Sequence, residues 1–218
     1  TENKLVTDWI VEKCNLDIKN TCVIAGPCHA EEVALEKQSY LSIASTDMQT
    51  AASFAKYLSC RFVKATPLID LYGVEYAAVM KNIIALACGI THGLGYGDNF
   101  QAVLVSNAMQ EIEAFITAID PRVRNVTSSA YLGDLLVTSY SQFSRNRLFG
   151  NMIGRGYSVK AAQMEMKMIA EGYYATKSIM ELNKIYKVST PITKAVYEIL
   201  YEEHKPALVI EELKKQLS

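Results

Sequence analysis

Lys81 lies in the segment Val-Glu-Tyr-Ala-Ala-Val-Met-Lys-Asn-Ile-Ile-Ala-Leu-Ala, residues 74–87. Helical spacing places residues 74, 77, 78, 81, 84 and 85 on one face, and all but Lys81 are apolar. A lysine there must pair, extend its ammonium to the surface along a packed stem, or face a cleft. A lysine held away from water yields its proton more readily, which suits a general base near neutral pH. The segment is equally compatible with a base and with a packed surface lysine. A second group is Ser144-Arg145-Asn146-Arg147, in which a capping hydroxyl precedes two guanidinium groups and an amide. The free N–H groups and positive dipole end of a helix start, joined by arginine, make a phosphate site; an ordinary capped surface helix has the same residues. Asp134, between Gly133 and Leu135, reads as a buried carboxylate needing a partner or as a helix-entry residue.

Other groups carry less. Ala25-Gly26-Pro27-Cys28-His29-Ala30 follows a strand pattern and enters a helix pattern, so Gly26 permits close backbone approach and the helix start can face an anion. Cys28 is read as either a small inert residue or a nucleophile. Gly93-Leu94-Gly95-Tyr96-Gly97 follows a long helix pattern rather than a strand, which favours a helix–helix connection over a dinucleotide loop. The methionines at 164, 166 and 168 are expected to fill core gaps. The three histidines are scattered and the five cysteines form no C-x-x-C pair, so no metal site is expected.

These residues must be positioned by a chain of 218 residues, half of them hydrophobic, which is enough for a sizeable core. A net charge of −1 gives no reason to expect a nucleic-acid partner. Loosely spaced cysteines imply reduced thiols and a cytoplasmic location. The first ten residues lack a signal-peptide run, and the apolar stretch at 74–90 contains Glu75, Lys81 and Asn82, so a buried helix is expected there rather than a membrane span. Residues 1–70 alternate: a helix at 5–14, strands at 21–25, 40–44 and 61–65, and a helix at 46–58. From about residue 70, helical periodicity predicts helices near 71–89, 99–119, 131–139, 144–154, 158–170, 172–186, 191–204 and 206–217. Asp98, Ser144 and Ser158 are the expected caps, and Thr190-Pro191 has the order of an N-cap followed by a first-turn proline. The fold class is therefore mainly α, with a partial α/β segment at 1–70 and an all-helical domain at 71–218.

The order of the motifs is more specific than any one of them. Gly-Pro-x-x-Ala-x-Glu is followed by Gly-Val-Glu-x-x-x-x-x-Lys-Asn-x-x-Ala and Gly-Leu-Gly-x-Gly-Asp-Asn. Gly-Asp-Leu-x-x-Thr, Ser-Arg-Asn-Arg-x-x-Gly and Glu-Gly complete the series. From about Val23 to Tyr201 the chain resembles the NAD(P)-dependent glycerol-3-phosphate dehydrogenases. The resemblance implies that Lys81 is the catalytic base, supported by Asp134. It implies glycerol-phosphate contacts at Gly26, Cys28, Lys81, Asn82, Asp134, Ser144, Arg145 and Asn146. Cofactor contacts, to NAD or NADP, fall at Ala30, Arg145, Ile169 and Glu171. Lys81, Asp134, Arg145 and Asn146 are accordingly expected to converge on one cleft. Departures occur at Ala25 and Cys28, where the family has serine and a hydroxyl residue, at Ser106-Asn107-Ala108, and at residues 128–132. The family's opening glycine-rich phosphate turn is not in these residues, so the 218-residue chain by itself is expected to lack turnover and to contain only the end of a cofactor domain. A small phosphate ester is the implied partner, and the oligomeric state is left open between monomer and homodimer. A dehydrogenase for another hydroxy acid or sugar acid, and a non-catalytic helical interaction module, are the alternative readings.

Overall fold

A computed structural model describes residues 4–166 and 168–218. The elements run in the order α1 (Val6–Cys14), β1 (Val23–Ala25), α2 (Ala30–Ala34), β2 (Ser39–Ala44), α3 (Met48–Leu58) and β3 (Val63–Leu68). Helices then follow: α4 (Leu71–Gly93), α5 (Asp98–Ile119), α6 (Asp134–Tyr140), α7 (Arg145–Gly154), α8 (Val159–Glu165), α9 (Glu171–Tyr186), α10 (Pro191–Tyr201) and α11 (Pro206–Lys214). A π-helical turn, Ser129–Gly133, leads into α6. The mainly α class with a small α/β segment is as expected.

Two compact units result. The first comprises residues 1–78 and 122–137, and the second residues 79–121 and 138–218. Each draws on two stretches of chain.

In the first unit, β1 pairs antiparallel with β2, and β2 pairs parallel with β3. The parallel pair needs a crossover, and α3 supplies it, its start held by the Asp47 carboxylate accepting from Thr50 N at 2.7 Å. Ala51 and Ala55 on α3, with Ile43 and Ala44 on β2, form the buried contact layer. The unit also contains a buried ion pair. Arg124 Nε donates to Asp70 at 2.6 Å, while Gly73 N and the Tyr131 hydroxyl donate to the same carboxylate. Both Asp70 and Arg124 side chains are almost fully buried, so each depends on the other for compensation. Gly73 is required there, since a Cβ would stand 2.5 Å from Asp70 Oδ2 and 2.6 Å from Arg124 Nε.

In the second unit the helices pack unusually closely at one crossing. A Cβ on Gly150 would approach the Leu86 carbonyl oxygen to 2.2 Å, and one on Gly89 would approach the Arg147 carbonyl oxygen to 2.1 Å. Gly93 and Gly154 repeat the same relation one turn later. Glycines four apart on α4 and on α7 thus bring the two backbones into direct contact. The first residues of α7 are thereby fixed against α4.

The caps follow the sequence only in part. Ser144 Oγ accepts from Arg147 N at 3.3 Å and Ser158 Oγ from Ala161 N at 3.2 Å, as expected. Asp98 is not a cap; it is the first residue of α5, and Gly97 occupies the cap position. Thr190 precedes Pro191 as anticipated, but its side chain does not bond the helix start. The buried Glu111 carboxylate does so instead, accepting from Ile192 N at 2.7 Å, Thr193 N at 3.0 Å and the Thr193 hydroxyl at 2.5 Å. The helix expected over 158–170 ends at Glu165; Lys167 within that range lies outside the described residues. Met164, on the outer face of α8, and Met168, beyond its end, are exposed and do not fill the core. By length and composition α4 and α5 could each cross a membrane, but the apolar window of α4 is 72% buried in protein.

Candidate functional site

The first unit carries four of the sequence-predicted residues. Asp134 is 3% exposed and opens α6. Its Oδ2 accepts from Gly26 N at 3.1 Å. Both readings of Asp134, buried carboxylate and helix entry, therefore apply at once, and the anion faced by the Gly26 amide is the protein's own. Gly26 has φ of +124°, and a Cβ would meet the Tyr40 carbonyl oxygen at 2.6 Å, so only glycine fits. Cys28 is half-buried, and burial pushes its thiol pKa up; a hydrogen bond with Ser39 opposes this and the Asp134 charge adds to it. A raised thiol pKa favours the small inert reading of Cys28 over the nucleophile. Ala30 is the exposed first residue of α2.

The second unit carries the other seven. Lys81 and Asn82 are half-buried on α4, the latter held close to the start of α9: a Cβ on Gly172 would come within 2.5 Å of the Asn82 carbonyl oxygen. Asn146, buried in the first turn of α7, bridges the two helices. Its Nδ2 donates to Asn82 Oδ1 at 3.0 Å, and its Oδ1 accepts from Gly172 N at 2.9 Å. Donor and acceptor ends of one amide are thus both used, which fixes its orientation and satisfies a backbone N–H at the start of α9. Sequence reasoning names Asn82 and Asn146 but not this lock, because the bond joins residues 64 positions apart on separate helices.

Arg145, the residue before Asn146, is held less firmly. Its side chain is 42% exposed and approaches the open carboxylate of Glu171 at 3.7 Å. A pair this exposed contributes little to stability and leaves the guanidinium available to another anion. Ile169 is on the wall of a pocket of about 260 Å³ lined also by Phe149, Met166, Met168 and Tyr173. Of the three cofactor positions expected in this part of the chain, Ile169 lines the pocket, while Arg145 reaches one lining residue, Met168, at 3.9 Å and Glu171 at 3.7 Å. Ser144 does not face this pocket. It lines a different one, with His92 and Arg147. Among the described residues no cluster of three metal-ligating side chains occurs.

Known proteins share both the sequence and the fold. Residues 70–211 match the family model described as NAD-dependent glycerol-3-phosphate dehydrogenase C-terminus. A glycerol-3-phosphate dehydrogenase, NAD(P)+, of Clostridium botulinum is 40% identical over 211 residues, covering 97% of this chain and 63% of the relative. The protein of the same name from Shouchella clausii is 38% identical over 213 residues, with the same shares. The crystal structure of glycerol-3-phosphate dehydrogenase from Coxiella burnetii superposes with a TM-score of 0.91 at 30% identity, over 97% of this chain and 64% of that one. The chain thus spans under two thirds of the length of these relatives.

Proposed function

The chain belongs to the NAD-dependent glycerol-3-phosphate dehydrogenase family, and on that premise we propose that it is the substrate-binding and catalytic part of an enzyme interconverting sn-glycerol 3-phosphate and dihydroxyacetone phosphate with NAD or NADP. The observation that carries this reading is the Asn82–Asn146–Gly172 lock, because it sets Arg145, the proposed phosphate ligand, at a fixed place in the first turn of α7. A nicotinamide cofactor, when bound, would supply the hydride exchange with the substrate. Lys81 Nζ accepts the C2 hydroxyl proton in the oxidative direction and returns it in the reductive one, with Asp134 as the supporting carboxylate. Arg145 holds the phosphate through charge-assisted bonds, Asn82 and Asn146 complete the polar contacts, and Ser144 serves by capping the helix that carries Arg145 and Asn146. Gly26 and Cys28 serve the substrate, and Ala30, Ile169 and Glu171 the cofactor. Residues 1–70 are assigned to the end of a cofactor domain and 71–218 to the substrate domain. The working partner is a small phosphate ester rather than a nucleic acid, and no membrane insertion is assigned to α4 or α5. Five free cysteines support a reducing, cytoplasmic setting.

Calorimetric titration of the 218-residue chain with sn-glycerol 3-phosphate tests the phosphate assignment. Arg145→Ala should weaken binding by roughly tenfold, the effect of losing one charge-assisted contact of about 1.4 kcal/mol. Equal affinity in the two proteins would remove Arg145 from the phosphate site.

A further inference from the structure

A second cationic pocket lies on another side of α7. We propose that the cavity bounded by His92, Ser144, Arg147, Asn151 and Arg155 binds a phosphate-class oxyanion, independently of the site at Arg145. Its volume is about 160 Å³, enough for a tetrahedral oxyanion. Arg147, Asn151 and Arg155 recur every four residues, so they form one stripe along the helix, whereas Arg145 starts two positions earlier and points elsewhere. His92 closes the pocket from the last turn of α4.

The charge in this pocket is uncompensated. Among the described residues no carboxylate lies within ion-pair distance of Arg147, Arg155 or His92. Arg147 Nε is shielded from solvent and has no hydrogen-bond partner there. An oxyanion in the cavity would instead meet the guanidinium side chains of Arg147 and Arg155, which both line it. Cys88, the buried acid nearest in the electrostatics of Arg147, does not offset the charge: burial pushes its thiol pKa up to about 12, leaving it neutral. Arg155 and His92 are exposed, so an anion can enter from solvent.

The test uses the 218-residue chain and the ring signals of its three histidines in NMR spectra. His92→Gln assigns the His92 signal. Inorganic phosphate is titrated at constant ionic strength, with chloride and sn-glycerol 3-phosphate as parallel arms. The expected result is a saturable shift of the His92 signal with phosphate and not with chloride. It should persist in Arg145→Ala, and Arg155→Gln should weaken it by roughly tenfold. A saturable response to sn-glycerol 3-phosphate as well would identify the ligand as a phosphate ester; a response to phosphate alone would identify the free anion. A shift equal to that with chloride would mean an adventitious ion only and would overturn the proposal. So would a shift untouched by Arg155→Gln, or one abolished by Arg145→Ala. Arg155 is exposed, so its substitution leaves the fold in place, and circular dichroism checks this. Failure here leaves the proposed dehydrogenase function standing, since that rests on Arg145 and Lys81.

Discussion

At the scale of single residues, the site is organised by a buried amide that bonds at both its donor and its acceptor end. The Asn146 amide spends its donor on Asn82 and its acceptor on Gly172. Asn146→Asp keeps the shape but turns the donor into an acceptor facing Asn82 Oδ1. The expected loss is about 1–3 kcal/mol, the cost of leaving a buried polar group unsatisfied, read as a lower midpoint in urea with an unchanged slope. A midpoint equal to the parent would show that the lock holds nothing. Glu75 gives a test by pH. It is buried, and accepts from Thr7 N at 3.1 Å and from the Thr7 hydroxyl. Burial raises its pKa above 4.5, with the Thr7 bonds opposing. The folded state therefore holds the Glu75 proton more tightly than the unfolded chain does. The associated stability is fully present below the unfolded pKa and is lost as pH rises through the folded one. Glu75→Gln, neutral at every pH, should flatten the fall in Tm above pH 4.5 relative to the parent. Parallel curves for the two proteins would contradict this assignment.

At the scale of elements, the decisive feature is the backbone contact between α4 and α7. Gly150→Ala would drive a Cβ to within 2.2 Å of a carbonyl oxygen, while a Cβ on Gly97 meets nothing within 4 Å. The first substitution should cost about 1–3 kcal/mol through forced separation of the helices, and the second should be close to neutral. Thermal denaturation of both variants measures the contrast, and equal Tm values would rule out the tight crossing. This crossing also explains what was legible in the sequence. Long periodic segments gave their helices, such as α5 at Asp98–Ile119 against an expected 99–119. The approach of two glycine pairs from different helices has no local signature, and neither does the capping of α10 by Glu111 from 81 residues away. The expected helix over 158–170 ends at Glu165, and Met166, Met168, Ile169 and Ala170 beyond it line a pocket wall, a role that apolar spacing alone does not distinguish from a helix face.

At the scale of the whole molecule, motif order carried more information than any motif alone. The separate readings of Lys81, Asp134 and Ser144-Arg145-Asn146-Arg147 each left an ordinary structural alternative open. Their order singled out the family that the match over residues 70–211 establishes. The central claim is that Lys81 moves the proton and Arg145 holds the phosphate, and steady-state kinetics across pH on an active dehydrogenase containing these residues tests it most directly. Lys81→Ala should lower kcat by roughly 10²–10⁴-fold with a modest change in KM, the loss typical of a positioned base. Arg145→Ala should instead raise KM strongly, with kcat falling only as far as misplaced substrate slows hydride transfer. If Lys81→Ala changed KM alone while Arg145→Ala left substrate binding intact, the two roles would be wrongly assigned.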